Sequence, residues 1–423
     1  MKVLLINTSE RAGGAAVAAT RLMEALKNNG VKAKLLVRDK QTDNISVVRL
    51  ESNYVCNLWN FVWERVIIWK ANHFKRTNLF AVDIANTGTD ITSLAEFKEA
   101  DIVHLHWINQ GMLSLKNIQK IVASGKPVVW TMHDMWSCTG ICHHAGECIR
   151  FKEECHHCPY LYGGGREKDL SYRIFQKKKK LYQKASMIFV TCSRWLERSA
   201  KESALFPSQT VVSIPNPINV NLFKPQNKKE ARVKCNLPAE KKLILFGAVK
   251  ITDKRKGIDY LVASCRILVE KHPELKDTME IVILGHKSEQ SEQLPLPFNV
   301  HPLPFTGKES ELVNVYNAVD LYVTPSLQEN LPNTIMEAMA CGVPCVGFDT
   351  GGIAEMIDHL YNGYVARYKS AEDFAEGIYR ISTTPEYALF SEQARRKVIT
   401  HYSEGHIAKK YIEIYNRMIG DYV

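Results

Sequence analysis

At 423 residues the chain exceeds the length at which one hydrophobic core usually keeps growing, so two domains are expected. Its 45% hydrophobic and 24% charged residues are those of a folded globular chain and exclude a disordered one. A net charge of +10 suits anionic partners such as nucleotide diphosphates or lipid headgroups; with no aromatic RNA-binding strand pair or basic recognition helix beside it, no nucleic acid is expected.

The chain opens on MKVLLINTSE, a first β-strand with neither the long apolar run nor the small-residue cleavage site of a signal peptide. No stretch reaches the length of a membrane-spanning helix. The cytoplasm is therefore the expected compartment, where the eleven cysteines stay mostly reduced. Gly13-Gly14 follows this strand and leads into a helix of small residues. Glycines there permit close backbone approach to a ligand, or simply make a tight turn. Residues 58–69, LWNFVWERVIIW, form a helix apolar on most sides, followed by Lys70, His73, Lys75 and Arg76. Two settings fit it: packing over the first domain, or leaning on anionic lipid at a membrane interface.

Apolar runs at 3–6, 33–37, 102–107, 128–132 and 187–191, and again at 243–246, 281–284, 321–324 and 343–347, alternate with helix-length segments. Such near-continuous apolar strands are buried on both faces, which predicts two doubly wound, parallel α/β sheets. The prolines of Ile214-Pro-Asn-Pro-Ile218 interrupt the series and mark the boundary. The expected division is an N-terminal Rossmann-like domain over 1–218 and a second over 219–400. A helix in 401–423, with apolar positions Ile407, Tyr411, Ile414, Tyr415 and Met418, is expected to pack back towards the first domain. Ligands bind at strand carboxyl ends in such folds, so the cleft where two rows of ends meet is the expected site.

At one strand end, Thr131-Met-His-Asp-Met-Trp136 offers His133 as a cleft residue, whereas His104 and His106, interleaved with a buried strand, read as structural. An insertion at about 138–158 follows, holding Cys142, Cys148, Cys155 and Cys158. Cys155-His-His-Cys158 has zinc-like spacing, and Cys142 and Cys148 would complete a tetrahedral structural site. Burial as small hydrophobes explains cysteines in a Gly- and charge-containing insertion poorly, and in a reducing compartment a structural metal outranks disulfides.

The most informative segment is SLQENLPNTIMEAMACGVPC, residues 326–345. It follows a strand, Pro332 sits where a first helical turn begins, and the helix is expected to run to about Cys341 and stop at Gly342. Glu329 precedes the helix and Glu337 lies on it, eight positions later. Between them the helix start presents unpaired backbone N–H groups and partial positive charge, a seat for a diphosphate.

This segment resembles the Glu-x7-Glu signature of retaining glycosyltransferases of the GT-B fold, family four. The resemblance implies that Glu329 contacts the transferred sugar and Glu337 the ribose of the nucleotide. Backbone groups around Asn330, Leu331 and Asn333 would meet the diphosphate. In the glycine-rich loop at 247–257, Lys256-Gly257 is similar to the family's Lys-Gly, which implies that Lys256 braces the leaving group. Ala248 stands where the family has an arginine, leaving Lys250 or Arg255 to replace it. Gly13 and Gly14, His133 beside the transferred sugar, Gly285 near the nucleobase and Gly351-Gly352 are family-like as well.

A UDP- or GDP-sugar donor, a glycan or lipid-linked acceptor and bacterial surface polysaccharide synthesis are thereby implied, with peripheral contact at the inner membrane. No Asp-x-Asp triplet occurs, so no cofactor or metal is expected in catalysis. A GT-B-like phosphorylase, a sugar-nucleotide epimerase and a non-catalytic sugar-binding subunit are the alternatives.

Overall fold

Residues 1–51, 54–286 and 293–420, which the computed structural model describes, hold thirteen strands in two wholly parallel sheets. The first comprises β1 (Lys2–Ser9), β2 (Lys32–Asp39), β3 (Val47–Arg49), β4 (Ile102–Leu105), β5 (Val128–Met132), β6 (Met187–Thr191) and β7 (Thr210–Ser213). Its order is β3-β2-β1-β4-β5-β6-β7. The second comprises β8 (Lys242–Lys250), β9 (Met279–His286), β10 (Val300–Pro304), β11 (Leu321–Thr324), β12 (Cys345–Phe348) and β13 (Gly363–Ala366). Its order is β10-β9-β8-β11-β12-β13. Both are doubly wound α/β sheets, as the apolar runs predict. The winding reverses between β1 and β4 and between β8 and β11, and a ligand seat is expected beside such a reversal.

The apolar runs work because successive strand residues face opposite sides. Leu4 and Ile6 of β1 join one buried cluster with Trp130 and Phe189. Val3 and Leu5, their neighbours in sequence, join another with Ile102 and Val129. A sheet covered on both faces needs this double apolar supply.

The chain divides into one unit of Met1–Pro217 with Ile407–Val423, and another of Ile218–His406. The helix Glu404–Gly420 thus returns the chain to the first unit, where Ile407, Tyr411, Tyr415 and Met418 are buried in the same cluster as Val3 and Leu5. His104 is fully buried and satisfied there: Nδ1 meets the Tyr415 hydroxyl at 2.6 Å and Nε2 meets Thr131 Oγ1 at 2.7 Å. Thr131 in turn lies 3.0 Å from the Tyr411 hydroxyl. His104 is structural.

Two early helices matter below. α1 (Gly14–Asn28) follows β1, and α2 (Tyr54–Ala71) lies between β3 and β4. Among the described residues no helix is long and apolar enough to cross a membrane.

Candidate active site

Two loops of the second unit leave the carboxyl ends of the neighbouring strands β8 and β11. The first ends in a short turn, Lys254–Lys256, opened by Asp253, whose side chain accepts from the Arg255 N–H. This turn aims Lys256 at the second loop, where its ammonium pairs with Oε1 of Glu329. Ser326 Oγ lies 3.4 Å from the same oxygen and 3.0 Å from Thr324 Oγ1. The Lys256 and Glu329 side chains keep 31% and 16% of their exposure, so the pair is held by protein yet reachable.

Backbone contacts fix this geometry. Leu327 N donates to Arg255 O at 2.7 Å, tying one loop to the other. Gly257 has φ +72°, and a Cβ there would lie 1.9 Å from Pro325 O. Gly351, with φ +57°, would place a Cβ 1.7 Å from Glu329 O. Neither position admits a side chain without moving the loop that carries Glu329.

The next element is the helix Asn333–Ala340, with Pro332 as its N-cap and Gly342 at φ +77° beyond its end. A proline cap has no side-chain oxygen to offer the first-turn N–H groups. Asn330 and Leu331, just before the helix, are buried, while Asn333 is partly exposed. Glu337 is only 4% exposed, and its Oε2 accepts a 2.8 Å hydrogen bond from the hydroxyl of Tyr316 on the helix Glu309–Ala318. Burial, followed by the Glu337 carboxylate, holds the Tyr316 phenol well above its usual range, so it remains a donor.

The structure brings Lys256 and Glu329 together but places Lys250 and Gly285 elsewhere. Lys250 is exposed at the end of β8, in register with His286. The close approach at Gly285 is to the Ala248 carbonyl, 2.2 Å from a would-be Cβ, which accounts for the glycine by strand packing. The Arg255 guanidinium is held by Asp253 of its own turn at 2.7 Å.

In the first unit, four consecutive strand ends contribute one chain of polar contacts. His106 follows β4, His133 follows β5, Cys192 follows β6 and Asn216 lies just beyond β7. His133 Nε2 is 2.9 Å from His106 Nδ1, and His133 Nδ1 is 3.6 Å from Cys192 Sγ, which donates to Asn216 Oδ1 at 3.1 Å. Burial lowers His133 to about 4 and His106 well below its usual value, so both rings are neutral near pH 7. The sequence pattern singles out His133 and gives His106 a structural part. The strand-end rule that selected His133 also covers Cys192 and Asn216. Gly13 starts α1 at φ +90° with open space where a Cβ would stand, and both it and Gly14 are exposed.

Residues 12–222 match the family model of Glycosyltransferase Family 4, and residues 227–397 match that of Glycosyl transferases group 1. The chain belongs to these glycosyltransferases. Its fold is GT-B. Sucrose-phosphate synthase from Thermosynechococcus elongatus is matched over 100% of both chains with a TM-score of 0.67 and 18% identity. Anabaena HepE in complex with UDP-glucose is matched over 99% of this chain and 100% of that one, with a TM-score of 0.61 and 16% identity. A curated relative is the N,N'-diacetylbacillosaminyl-diphospho-undecaprenol alpha-1,3-N-acetylgalactosaminyltransferase of Campylobacter jejuni. It is 30% identical over 206 residues, covering 48% of this chain and 53% of its own. The chain spans about half the length of the curated relatives that head this comparison.

The cysteine-rich insertion of this glycosyltransferase corrects two expectations. Cys142, Cys155 and Cys158 are buried in one apolar cluster with Ile141, Phe151 and Leu161, so they do pack as small hydrophobic groups. The same cluster holds Leu4, Ile6 and Trp130, so the insertion extends the core on one face of the first sheet, which composition did not reveal. Together with Cys148 they line a cavity of about 20 Å³, room for little more than one water. Among the described residues no group of three or more His, Cys, Asp or Glu side chains is set to hold a metal ion, so the expected zinc site is not supported. Burial pushes the thiols of Cys142, Cys155 and Cys158 up to about 12.

The insertion instead steadies the turn after His133. His143 Nδ1 lies 2.7 Å from Asp134 Oδ2, and its Nε2 lies 2.6 Å from Asp83 Oδ2. Burial by itself would lower this imidazole, but Asp134 and Asp83 outweigh it and raise it to about 10. Asp134 also accepts from Trp107 Nε1 at 2.9 Å and from Trp136 N at 2.8 Å. A cation between two carboxylates thus holds the residue next to His133.

Proposed function

We propose that this glycosyltransferase moves a sugar from a nucleoside-diphosphate sugar to a hydroxyl of a glycan or lipid-linked acceptor, with the anomeric configuration retained. The observation that carries this reading is the Lys256–Glu329 pair, set at adjacent strand ends immediately before a helix start with a proline cap. Glu329 accepts hydroxyls of the transferred sugar. The diphosphate meets the first-turn N–H groups near Asn333, with the backbone around Asn330 and Leu331. Glu337, oriented by Tyr316, accepts the ribose hydroxyls.

In the reaction, the bond from the anomeric carbon to the β-phosphate oxygen breaks and its electrons pass to the diphosphate. The acceptor hydroxyl oxygen bonds to the same carbon, and its proton passes to the departing phosphate oxygen. Lys256 and the helix start stabilise the charge gathering on the leaving group, the kind of preorganised electrostatics that contributes most in such sites. His133, Gly13 and Gly14 are proposed for the sugar and acceptor side, and Lys250 and Gly285 for the nucleotide, on family resemblance. The UDP-glucose in the Anabaena structure supports a nucleotide-sugar donor. The name of the Campylobacter relative, with its diphospho-undecaprenol acceptor, supports a lipid-linked one. Surface polysaccharide synthesis on the cytoplasmic side of the membrane fits both.

The test is a panel of UDP- and GDP-sugars assayed for nucleotide release, with and without membrane extract. Acceptor-dependent release of nucleoside diphosphate is expected. Release that needs inorganic phosphate would identify a phosphorylase, an altered nucleotide sugar would identify an epimerase, and no turnover of any donor would leave a binding subunit.

A further inference from the structure

Helix α2 is mounted with its polar side inward. Asn60, Glu64, Arg65 and Ile68 are its buried residues. Glu64 Oε1 accepts from Ile84 N at 2.8 Å and Ala85 N at 2.7 Å, and its other oxygen is 3.1 Å from Arg65. Arg65 donates to Leu79 O at 2.6 Å and Val82 O at 3.1 Å and also pairs with Asp83. Asn60 Oδ1 accepts from the Thr87 hydroxyl at 2.5 Å. The α2 backbone is seated just as firmly. A Cβ on Gly111 would lie 2.8 Å from both Asn60 C and Phe61 N.

These pins prevent the helix from rolling, and they leave its apolar side in solvent. Val55, Leu58, Trp59, Val62, Trp63 and Val66 follow the three- and four-residue spacing of one helix face, and they are between 38% and 66% exposed. Trp59 and Trp63 stack with ring centroids 5.6 Å apart. A continuous exposed apolar stripe of this kind marks an interaction surface, not ordinary surface scatter.

The charge around the stripe says what covers it. From Tyr54 to Phe80 the one acidic residue is Glu64, and it is buried. Lys70 in the last turn of the helix, and Lys75 and Arg76 just past it, are by contrast all exposed. A second copy docked stripe to stripe by a twofold axis would bring this cationic end into its own interface region. An anionic bilayer rewards both features: Trp and aliphatic side chains enter the headgroup–acyl boundary while Lys and Arg meet the phosphates.

The geometry points to α2 as a membrane-docking element that lies in the interface of a bilayer containing anionic lipid. Its occupant is the lipid surface, recognised by apolar burial along the stripe and by charge at the carboxyl end. The surface is independent of the proposed donor chemistry, so it is tested without any turnover.

The experiment is flotation of the full chain with vesicles of phosphatidylcholine alone and of equal parts phosphatidylcholine and phosphatidylglycerol. Wild-type protein is expected to float with the anionic vesicles, with a blue shift in tryptophan emission, and to be released by high salt. The double variant Trp59→Ser/Trp63→Ser should bind at least about tenfold more weakly. It should retain the wild-type circular dichroism and melting temperature, because those rings are exposed. Lys70→Ser/Lys75→Ser/Arg76→Ser should lose the preference for anionic vesicles. Failure of wild type to bind either vesicle overturns the proposal, as does equal binding to both. A dimer in sedimentation that the tryptophan variant dissolves, without vesicle binding, assigns the stripe to a second copy instead.

Discussion

The hydroxyl of Tyr316 donates a 2.8 Å hydrogen bond to Oε2 of Glu337, and both groups are buried. The bond fixes the orientation of the carboxylate. Removing the phenol oxygen by Tyr316→Phe is expected to weaken nucleotide binding about tenfold, the worth of one hydrogen bond to a charged group at the low end of its range. Glu337→Ala should cost more. Calorimetric titration with nucleoside diphosphate reads both; unchanged affinity in the alanine variant would detach Glu337 from the nucleotide.

Lys256→Ala should reduce turnover about 100-fold, since it removes a cation aimed at the leaving group. Its effect on the melting temperature should be small, because a partly exposed ion pair contributes about 1 kcal/mol or less to stability. Steady-state kinetics alongside thermal unfolding separates the two. A large loss of stability with normal turnover per folded molecule would make the pair structural.

Gly351→Ala tests the backbone contact behind Glu329. The added Cβ would stand 1.7 Å from the Glu329 carbonyl at a φ of +57°, so the loop must shift. A destabilisation of roughly 1–3 kcal/mol is expected from the conformation alone. Activity should fall further than that loss explains, since Glu329 moves with its carbonyl. Alanine at Gly164, also at positive φ but with open space around it, is the control for strain without collision.

Acid should destabilise the first unit through its buried histidines. Burial lowers His104 to about 3 and His106 well below its usual value. As pH falls below about 6.5, the unfolded chain takes up protons that these rings refuse, so stability declines towards the folded values. The slope should reach about 1.4 kcal/mol per pH unit for each ring. His143 behaves oppositely. Raised to about 10, its contribution is complete below about 6.5 and fades as pH climbs through 10. Urea midpoints across this range should show both limbs, with His143→Gln flattening only the alkaline one.

The parallel sheets were legible because buried strands are apolar run by run, and the helix after Pro332 because proline and glycine mark its two ends. Lys256 and Glu329 each stood out in separate motifs; the ion pair between them required the strand order that sets β8 beside β11. Tyr316 carried no signal, since only tertiary packing brings it to a residue 21 positions away. Helix α2 stayed open between two settings for a physical reason. A segment apolar on most sides does not show which side is inward, and Glu64 and Asn60 resemble solvent-facing residues until their partners are seen. The cysteines misled through composition, which does not record that they join the core of the first unit.

The return of the chain to its first unit ties the order of synthesis to the order of folding. Tyr411 and Tyr415 close the space beside His104 and Thr131, and they leave the ribosome only after residues 218–406 have been made. Until then the earlier sheet lacks part of its cover. The first unit therefore gains its last cover only once the intervening stretch has been translated.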